Sequence, residues 1–263
     1  LDKTDLTNFD YTVFKRSQWE KDDDVRYNIF CSTEQNKIFE KIESIGQPLV
    51  ELCDFCLGLT PYDKYKGHTK DMMDNKVFHS PTAETKHHRP LIDGSNVERY
   101  HIDNEPKEYI KYGSWLGAPR QEKFFTEPRI IVRQILSGNP PRIFAGYTNE
   151  ALYHTQVAFA LLPKASINIK SVLALLNSML INYYHKFRFT DIEKEIFQKI
   201  LIANCKKLPI VYPDSAEQVE LLESYSTQIL SDKKAGKDTT ALEQEIDVMV
   251  FKLYGLTYEE VLV

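Results

Sequence analysis

The segment at residues 129–147, RIIVRQILSGNPPRIFAGY, constrains the fold more than any other part of this chain. Two runs rich in β-branched residues flank a Ser-Gly-Asn-Pro-Pro cluster, which is the pattern of two antiparallel strands joined by a turn. In the first run Arg129, Ile131, Arg133 and Ile135 alternate with Ile130, Val132, Gln134 and Leu136. Both faces carry apolar side chains, so the strand belongs inside a sheet, covered above and below. Such a strand requires neighbours on each side. The segments PLVELCDFCLGLTP, RPLIDG, EYIKYG and YHTQVAFALLP supply them, the first as one or two short strands.

Helical spacing supplies the covering layers. In STEQNKIFEKIESIG, Ile38, Phe39, Ile42 and Ile45 share a face, with Ser32 or Thr33 as cap and Gly46 as stop. In INIKSVLALLNSMLINYYHKF, Val172, Leu173, Leu176, Met179, Leu180 and Tyr183 predict one amphipathic helix over about 169–184. IEKEIFQKILIANCKKLPIVYP reads as a short helix and then a strand ending at Pro209. After Pro213, Ser215-x-x-Gln218, Thr240-x-x-Glu243 and Thr257-x-x-Glu260 have capping-box form and open helices at about 215–234, 240–254 and 258–262. The expected fold is mixed α/β, of the α+β kind. It has a twisted, partly antiparallel sheet with flanking helices, then a C-terminal helical hairpin. The expected divisions are an entry segment and helix over 1–48, a central domain over 49–212 and a helical tail over 213–263.

Three patterns hint at chemistry and none makes a site. Asn139-Pro140-Pro141 begins like the Asn-Pro-Pro-aromatic tetrapeptide of enzymes that methylate base amino groups, but Arg142 stands where the ring would stack. It falls between two strands where turn residues are expected, and no Gly-x-Gly cofactor loop precedes it. Asp93, Glu105 and Lys107 imitate a magnesium-binding Asp…Glu-x-Lys set, but Pro106 would cost a strand its ladder hydrogen bond. Cys53 and Cys56 form a single Cys-x-x-Cys with no second pair to complete a zinc site, so Cys31, Cys53, Cys56 and Cys205 read as reduced thiols of a cytoplasmic protein. The chain is therefore not expected to be an enzyme by itself, nor to hold a cofactor or metal. The apolar run at 172–184 is too broken for a membrane span. A start at Leu1 suggests a piece of a longer protein.

Charge is unevenly spread. Residues 1–60 hold 7 Lys and Arg against 12 Asp and Glu, residues 61–210 hold 22 against 15, and residues 211–263 hold 4 against 11. A basic middle thus hides within a net charge of −5. Its densest part is a long polar stretch at residues 62–89, read as a loop.

The segments PLIDGSNVERY, EYIKYGSWLGAPR, FFTEPRIIVRQI, LALLNSMLINYYHKF and ANCKKLPI resemble the C-terminal target recognition domain of TaqI-like N6-adenine DNA methyltransferases, above all the fused type IIG restriction-modification enzymes of prokaryotes. LEQEIDVMVFKLYGLTYEEV resembles their closing helices. The likeness runs from about Ile42 to Val263. It implies a module that reads double-stranded DNA for a methyltransferase domain of the same polypeptide. That domain binds S-adenosylmethionine and flips the base, and some members carry a magnesium-dependent endonuclease further upstream. With the resemblance, Lys64, Lys66, His68, Lys70, Lys86 and Arg89 become candidate DNA contacts, with His87 or His88 at base edges. Arg120 is a candidate guanine reader or an ion-pair partner of Glu122, with Lys123 beside it. Arg129 and Arg133, on one strand face, are candidate contacts to the DNA backbone or partners of internal carboxylates. Lys186 and Arg188, just past the long helix, either contact that backbone or stabilise the helix C-terminus. The other function open to the acidic tail is a protein–protein scaffold or self-association.

Overall fold

The computed structural model describes residues 31–189 and 198–263. Its strands are β1 (Gln47–Pro48), β2 (Cys53–Leu57), β3 (His79–Ser80), β4 (His88–Ile92), β5 (Glu108–Lys111), β6 (Arg129–Arg133), β7 (Ala145–Thr148), β8 (Tyr153–His154), β9 (Ala158–Pro163) and β10 (Pro209–Ile210). Its helices are α1 (Thr33–Ile45), α2 (Lys70–Asp74), α3 (Lys123–Thr126), α4 (Ile169–Asn177), α5 (Met179–Phe189), α6 (Ile202–Lys206), α7 (Ala216–Lys234), α8 (Thr240–Leu253) and α9 (Tyr258–Val261).

Strand β6 is internal, as its two apolar faces require. It pairs antiparallel with β7 on one side and β9 on the other, in a sheet of order β2-β9-β6-β7. Ile130 and Val132 point into the largest core with Phe159, Leu161 and the helices. Ile131 points the opposite way, to a smaller core with Ile92, Val97, Ile102 and Leu152. The 137–142 turn closes the β6–β7 hairpin, with Ser137 and Arg142 exchanging backbone hydrogen bonds around a cis Asn139–Pro140 peptide. The Asn-Pro-Pro sequence is thus a turn.

A second sheet of order β3-β5-β4-β8 is antiparallel except for the parallel β4–β8 pair. Its own small core joins Leu59, Leu91, Ile110, Leu116, Phe125 and Tyr153, and so fixes the 58–62 and 112–122 loops against each other. The segment YHTQVAFALLP splits between the sheets, with β8 in the second and β9 in the first.

Helix α1 begins and ends where its caps predict. Ser32 and Gln35 form a reciprocal capping box, and the Gly46 N–H closes on Ile42. The helix expected over 169–184 is two. Ser178 is extended, its hydroxyl donates to the Leu175 carbonyl at 2.7 Å, and the Asn177 amide donates to the Ala145 carbonyl at 2.9 Å. The Ser178 bond is a local alternative to the helix and the Asn177 bond a distant one, and here they win over helix continuation. Lys186 and Arg188 consequently lie in the last turn of α5, not beyond a helix.

The three tail helices occur at 216–234, 240–253 and 258–261. Of their expected capping boxes only the one at Thr257 forms; α7 has no side-chain cap, and α8 is preceded by Thr239, whose hydroxyl donates to Glu243. Leu222, Ile229, Ile246, Val250 and Tyr254 of α7, α8 and the residue after it are wholly buried in the same core as Ile130 and Phe159. No described helix is long and apolar enough to cross a membrane. Residues 1–30 and the start of the 192–213 segment lie outside the described residues.

Candidate nucleic-acid interface

Residues 62–89 are not the irregular loop their polarity suggested. Asp63 caps a 3-10 turn at Lys64–Lys66, Thr69 caps α2, and the segment ends in β3 and the start of β4. The turn is held by buried His68, 8% exposed. Its Nδ1 accepts from the Asp63 N–H at 2.8 Å, so Nε2 carries the proton and donates to the Trp115 carbonyl at 2.9 Å. With both nitrogens committed, His68 shapes the turn.

The 112–122 loop meets that turn. Thr60 and Ala118 exchange backbone hydrogen bonds, and the Gly117 N–H donates to the Pro61 carbonyl. A Cβ at Gly117 would lie 2.9 Å from backbone and side-chain atoms of Tyr62 and Asp63, so only glycine permits this approach. Lys66 Nζ reaches the Leu116 carbonyl at 3.2 Å. Trp115, 37% exposed, donates its indole N–H to Lys111 O, and the His87 ring meets its ring edge-on at 5.5 Å. Lys111 Nζ lies 5.7 Å from the indole centroid.

At the end of this loop Arg120 is exposed and adopts φ +66°, a left-handed conformation that a branched or long side chain rarely takes. Tyr112 donates its hydroxyl to Arg120 O at 3.1 Å, and Arg120 Nε makes a long bond, 3.4 Å, to Gly58 O. Glu122 is engaged by Arg89 at 3.7 Å and by the Tyr153 hydroxyl at 2.6 Å. Burial, reinforced by that carboxylate, pushes the Tyr153 phenol well above its usual range. Arg120 and Lys123 both lie near enough to Cys56 to oppose the burial that raises its thiol pKa. Lys64, Lys66, Lys70, Lys86, His87, Arg120 and Lys123 are all exposed, and His88 and Arg89 half-buried at the start of β4. His88 Nδ1 accepts from Thr85 N–H at 3.0 Å.

The remaining candidates go elsewhere. Arg129 is 0% exposed and donates to the carbonyls of Glu127, Glu150 and Leu152 at 2.8, 3.0 and 2.8 Å. Its side chain is enclosed on its face of β6, so it ties the β8 entry to the sheet rather than presenting a charge at the surface. Arg133, half-buried on the same face, lies against the Gly94 turn. Arg188 pairs with Glu43 at 3.0 Å over the Phe39 ring, and half-buried Lys186 lines a cleft with Arg99, Arg142 and Glu243 of the helical layer. Arg99 is bound by Glu243, and Lys170 faces Glu223 at 3.8 Å, so tail carboxylates neutralise part of the basic middle.

Asp93 caps the turn at 94–96, its carboxylate held below the usual range chiefly by the Ser95 hydroxyl. Glu105 offers its backbone carbonyl to Asn96 in the adjoining loop, so the imitation magnesium set is turn architecture. Cys53 and Cys56, three apart on a strand, point to opposite faces, one into the main core and the other against Phe124, Ala160 and Leu162. Among the described residues no group of three or more His, Cys, Asp or Glu is placed to hold a metal ion.

Some neighbours of the basic surface escaped the sequence reading. Lys111 joins it only through the loop's fold, beside Trp115. A cleft of about 540 Å³ beside it is lined by Thr60, Gln134, Gln156 and Lys199, polar groups drawn from four separate segments. The one signal available in the sequence was the Lys-Tyr-Lys-Gly run at 64–67, an aromatic between cations ahead of a glycine.

Residues 89–210 match the TaqI-like C-terminal specificity domain. Over 236 residues the chain is 27% identical to a protein of Methanocaldococcus jannaschii assigned as a type II restriction enzyme and methyltransferase, covering 88% of this chain and 20% of that protein. The chain thus spans about a fifth of that relative's length. Its fold is similar to that of the type IIL restriction-modification enzyme MmeI, solved in complex with DNA, with TM-score 0.55, 14% identity and coverage of 82% of this chain and 35% of MmeI. A more distant likeness, TM-score 0.41 at 13% identity over 84% of this chain and 50% of the other, is to the HsdS subunit from Thermoanaerobacter tengcongensis.

Proposed function

With a TaqI-like C-terminal specificity domain at residues 89–210, we propose that this chain reads the sequence of double-stranded DNA within a restriction-modification system. The observation that carries the reading is the convergence of the 64–66 turn, His87 and the 111–123 segment. They form one surface of exposed cations and aromatic rings on the second sheet, away from the carboxylates that neutralise Arg99 and Lys170. Lys64, Lys66, Lys70, Lys86 and Lys123 hold phosphates. Arg120, set in a strained backbone conformation at the loop end, addresses a guanine edge in the major groove.

The larger protein is proposed to be a cytoplasmic, adenine-specific methyltransferase of the type IIG kind. Its methyltransferase domain, on the same polypeptide, binds S-adenosylmethionine and receives the flipped base. An associated magnesium-dependent nuclease is a further part of the proposal. This chain would position the duplex and take no part in bond making.

The test is the salt dependence of binding. Each phosphate neutralised releases condensed counterions, so a surface making ~6–10 such contacts loses ~10³–10⁵-fold in affinity between about 50 and 200 mM salt. Fluorescence anisotropy with a randomised duplex pool measures it. Affinity independent of salt refutes the proposal.

A second reading concerns the tail. Tyr258 and Leu262 of the α9 region are 74% and 68% exposed, an apolar end suited to docking on the rest of the polypeptide or on a second copy. Sedimentation velocity of the Tyr258→Lys variant tests self-association; an unchanged distribution removes that option.

A further inference from the structure

We propose that Tyr65 is a wedge that enters the base stack of the bound duplex, a role that rests on the DNA reading above and goes beyond it. Tyr65 is 87% exposed, more than any other large hydrophobic side chain among the described residues. Its backbone is nonetheless tightly held. The Tyr65 N–H donates to Asp63 Oδ1 at 2.9 Å, and the Lys66 N–H and Gly67 N–H close on Asp63 O and Lys64 O at 3.0 and 3.1 Å. Gly67 exits at φ +82° with open space around its Cβ position, so the chain reverses directly behind the ring. Below, the His68 ring bridges the Asp63 N–H and the Trp115 carbonyl, and Lys66 Nζ reaches Leu116 O. The tip is therefore an ordered projection whose ordering cost is met on folding, which is what a probe for a second molecule requires.

Its surroundings select the kind of molecule. Lys64 and Lys66 flank the ring in sequence, with Lys64 Nζ 4.9 Å from its centroid. Lys70 follows on α2, and the one acid of the turn, Asp63, is occupied in capping it. A polyanion satisfies these cations on both sides of the ring. An aromatic ring carried between phosphate-binding groups finds its apolar partner in the faces of the bases, which every nucleotide offers. Apolar side chains so placed unstack a step and bend the duplex, exposing the neighbouring groove to the rest of the protein.

The experiment uses the whole chain and a duplex it selects from a randomised 30-bp pool, labelled with 2-aminopurine at successive positions. Tyr65→Ala is expected to lose roughly 10-fold in affinity, and Tyr65→Phe, which keeps the ring, to stay within about 2-fold of the wild type. Loss of a stacking contact leaves the slope of log K against log salt unchanged, whereas Lys64→Ala makes it shallower by about 0.9. 2-Aminopurine fluorescence should rise at one position with the wild type and with Tyr65→Phe, and not with Tyr65→Ala. Equal melting temperatures of the three proteins show that the exposed substitution spares the fold. Wild-type binding by Tyr65→Ala overturns the wedge alone. So does an affinity loss with no 2-aminopurine signal in any protein, since the ring then packs outside the stack. Failure of the wild type to bind any duplex in 50 mM salt overturns the DNA reading, and the wedge with it.

Discussion

Replacing Arg129 by Met should destabilise the protein severely while leaving the proposed DNA surface intact. The guanidinium makes three charge-assisted hydrogen bonds, at 2.8, 3.0 and 2.8 Å, to carbonyls of Glu127, Glu150 and Leu152. Burial pulls its pKa down to about 10, so it is charged at neutral pH. Met fills most of the volume but leaves three carbonyls without a donor. The Leu152 carbonyl bond is buried and the other two are part-buried, and an unpaired buried carbonyl costs about 1–3 kcal/mol, so the three together cost about 3–5 kcal/mol. For a chain of this size that lowers Tm by roughly 6–20 °C. Lys should restore only part of the loss, because one compact ammonium cannot span three carbonyls that a planar fork reaches together. Arg133→Gln, on the same strand face but half-buried, should cost less than about 1 kcal/mol. Urea titrations followed by circular dichroism give the stabilities. Duplex binding at 10 °C should show the wild-type salt slope for Arg129→Met. A Tm within ~2 °C of the wild type, or a shallower salt slope, would refute the argument that this arginine is architecture.

Acid should weaken the fold through its histidines. Burial pulls the pKa of His154 and of His185 from 6.5 to about 4, so both stay neutral in the native state while the unfolded chain takes up protons below pH 6.5. Stability is then full above pH 6.5 and falls as the pH drops towards 4, by on the order of 3 kcal/mol per residue at the lower limit; a flat profile of urea midpoints from pH 7 to 4.5 contradicts this. Deleting residues 214–263 should yield aggregated protein rather than a trimmed DNA binder, because Leu222, Ile229, Ile246, Val250 and Tyr254 complete the main core. A soluble, cooperatively melting truncation would show the tail to be separable. Arg120→Ala should cost about 1–3 kcal/mol on the selected duplex and relax preference at one base pair, leaving affinity for random duplex nearly unchanged; a uniform loss across sequences, read by competition binding, would make it a phosphate contact.

The parts of the fold that were legible are those where local chemistry and packing agree. Ser32, Gln35 and Gly46 bound α1 by hydrogen bonds within a few residues, and the helix forms between them. The two apolar faces of β6 announce an internal strand, and the Gly-Asn-Pro-Pro turn announces its hairpin, because both signals depend on neighbours in sequence. Prediction failed where distant contacts decide. The apolar periodicity of 169–184 runs unbroken through Ser178, but Asn177 is recruited by Ala145, thirty-two residues away, and the helix breaks there. The polar stretch at 62–89 read as a loop because its short capped turns are local and weak on their own, and they are seated from across the chain by Trp115 and Leu116, which hold His68 and Lys66. The burial of His68 and Arg129 was hidden in the sequence for a shared reason. Composition treats a histidine or arginine as surface charge, while three-dimensional packing spends each on buried carbonyls.

The basic middle of the chain thus resolves into populations with different work. Arg129 holds backbone carbonyls, and Arg99, Lys170 and Arg188 meet Glu243, Glu223 and Glu43 of the helical layer. The last three are neutralised at close range by these carboxylates and add little to the long-range field, while Arg129 is buried internal glue. The lysines of 64–70, Lys86, Lys123 and Arg120 stay exposed on the second sheet's loops. An acidic chain can therefore still attract a polyanion, since association follows the local potential of an exposed face and not the molecule's net charge. The same partition explains the layering. The first sheet and the helical tail form one core, whereas the second sheet has a separate, smaller core that only locks its loops together. A scaffold built this way can change loop side chains, and with them whatever its exposed face binds, without disturbing the packing that keeps it folded.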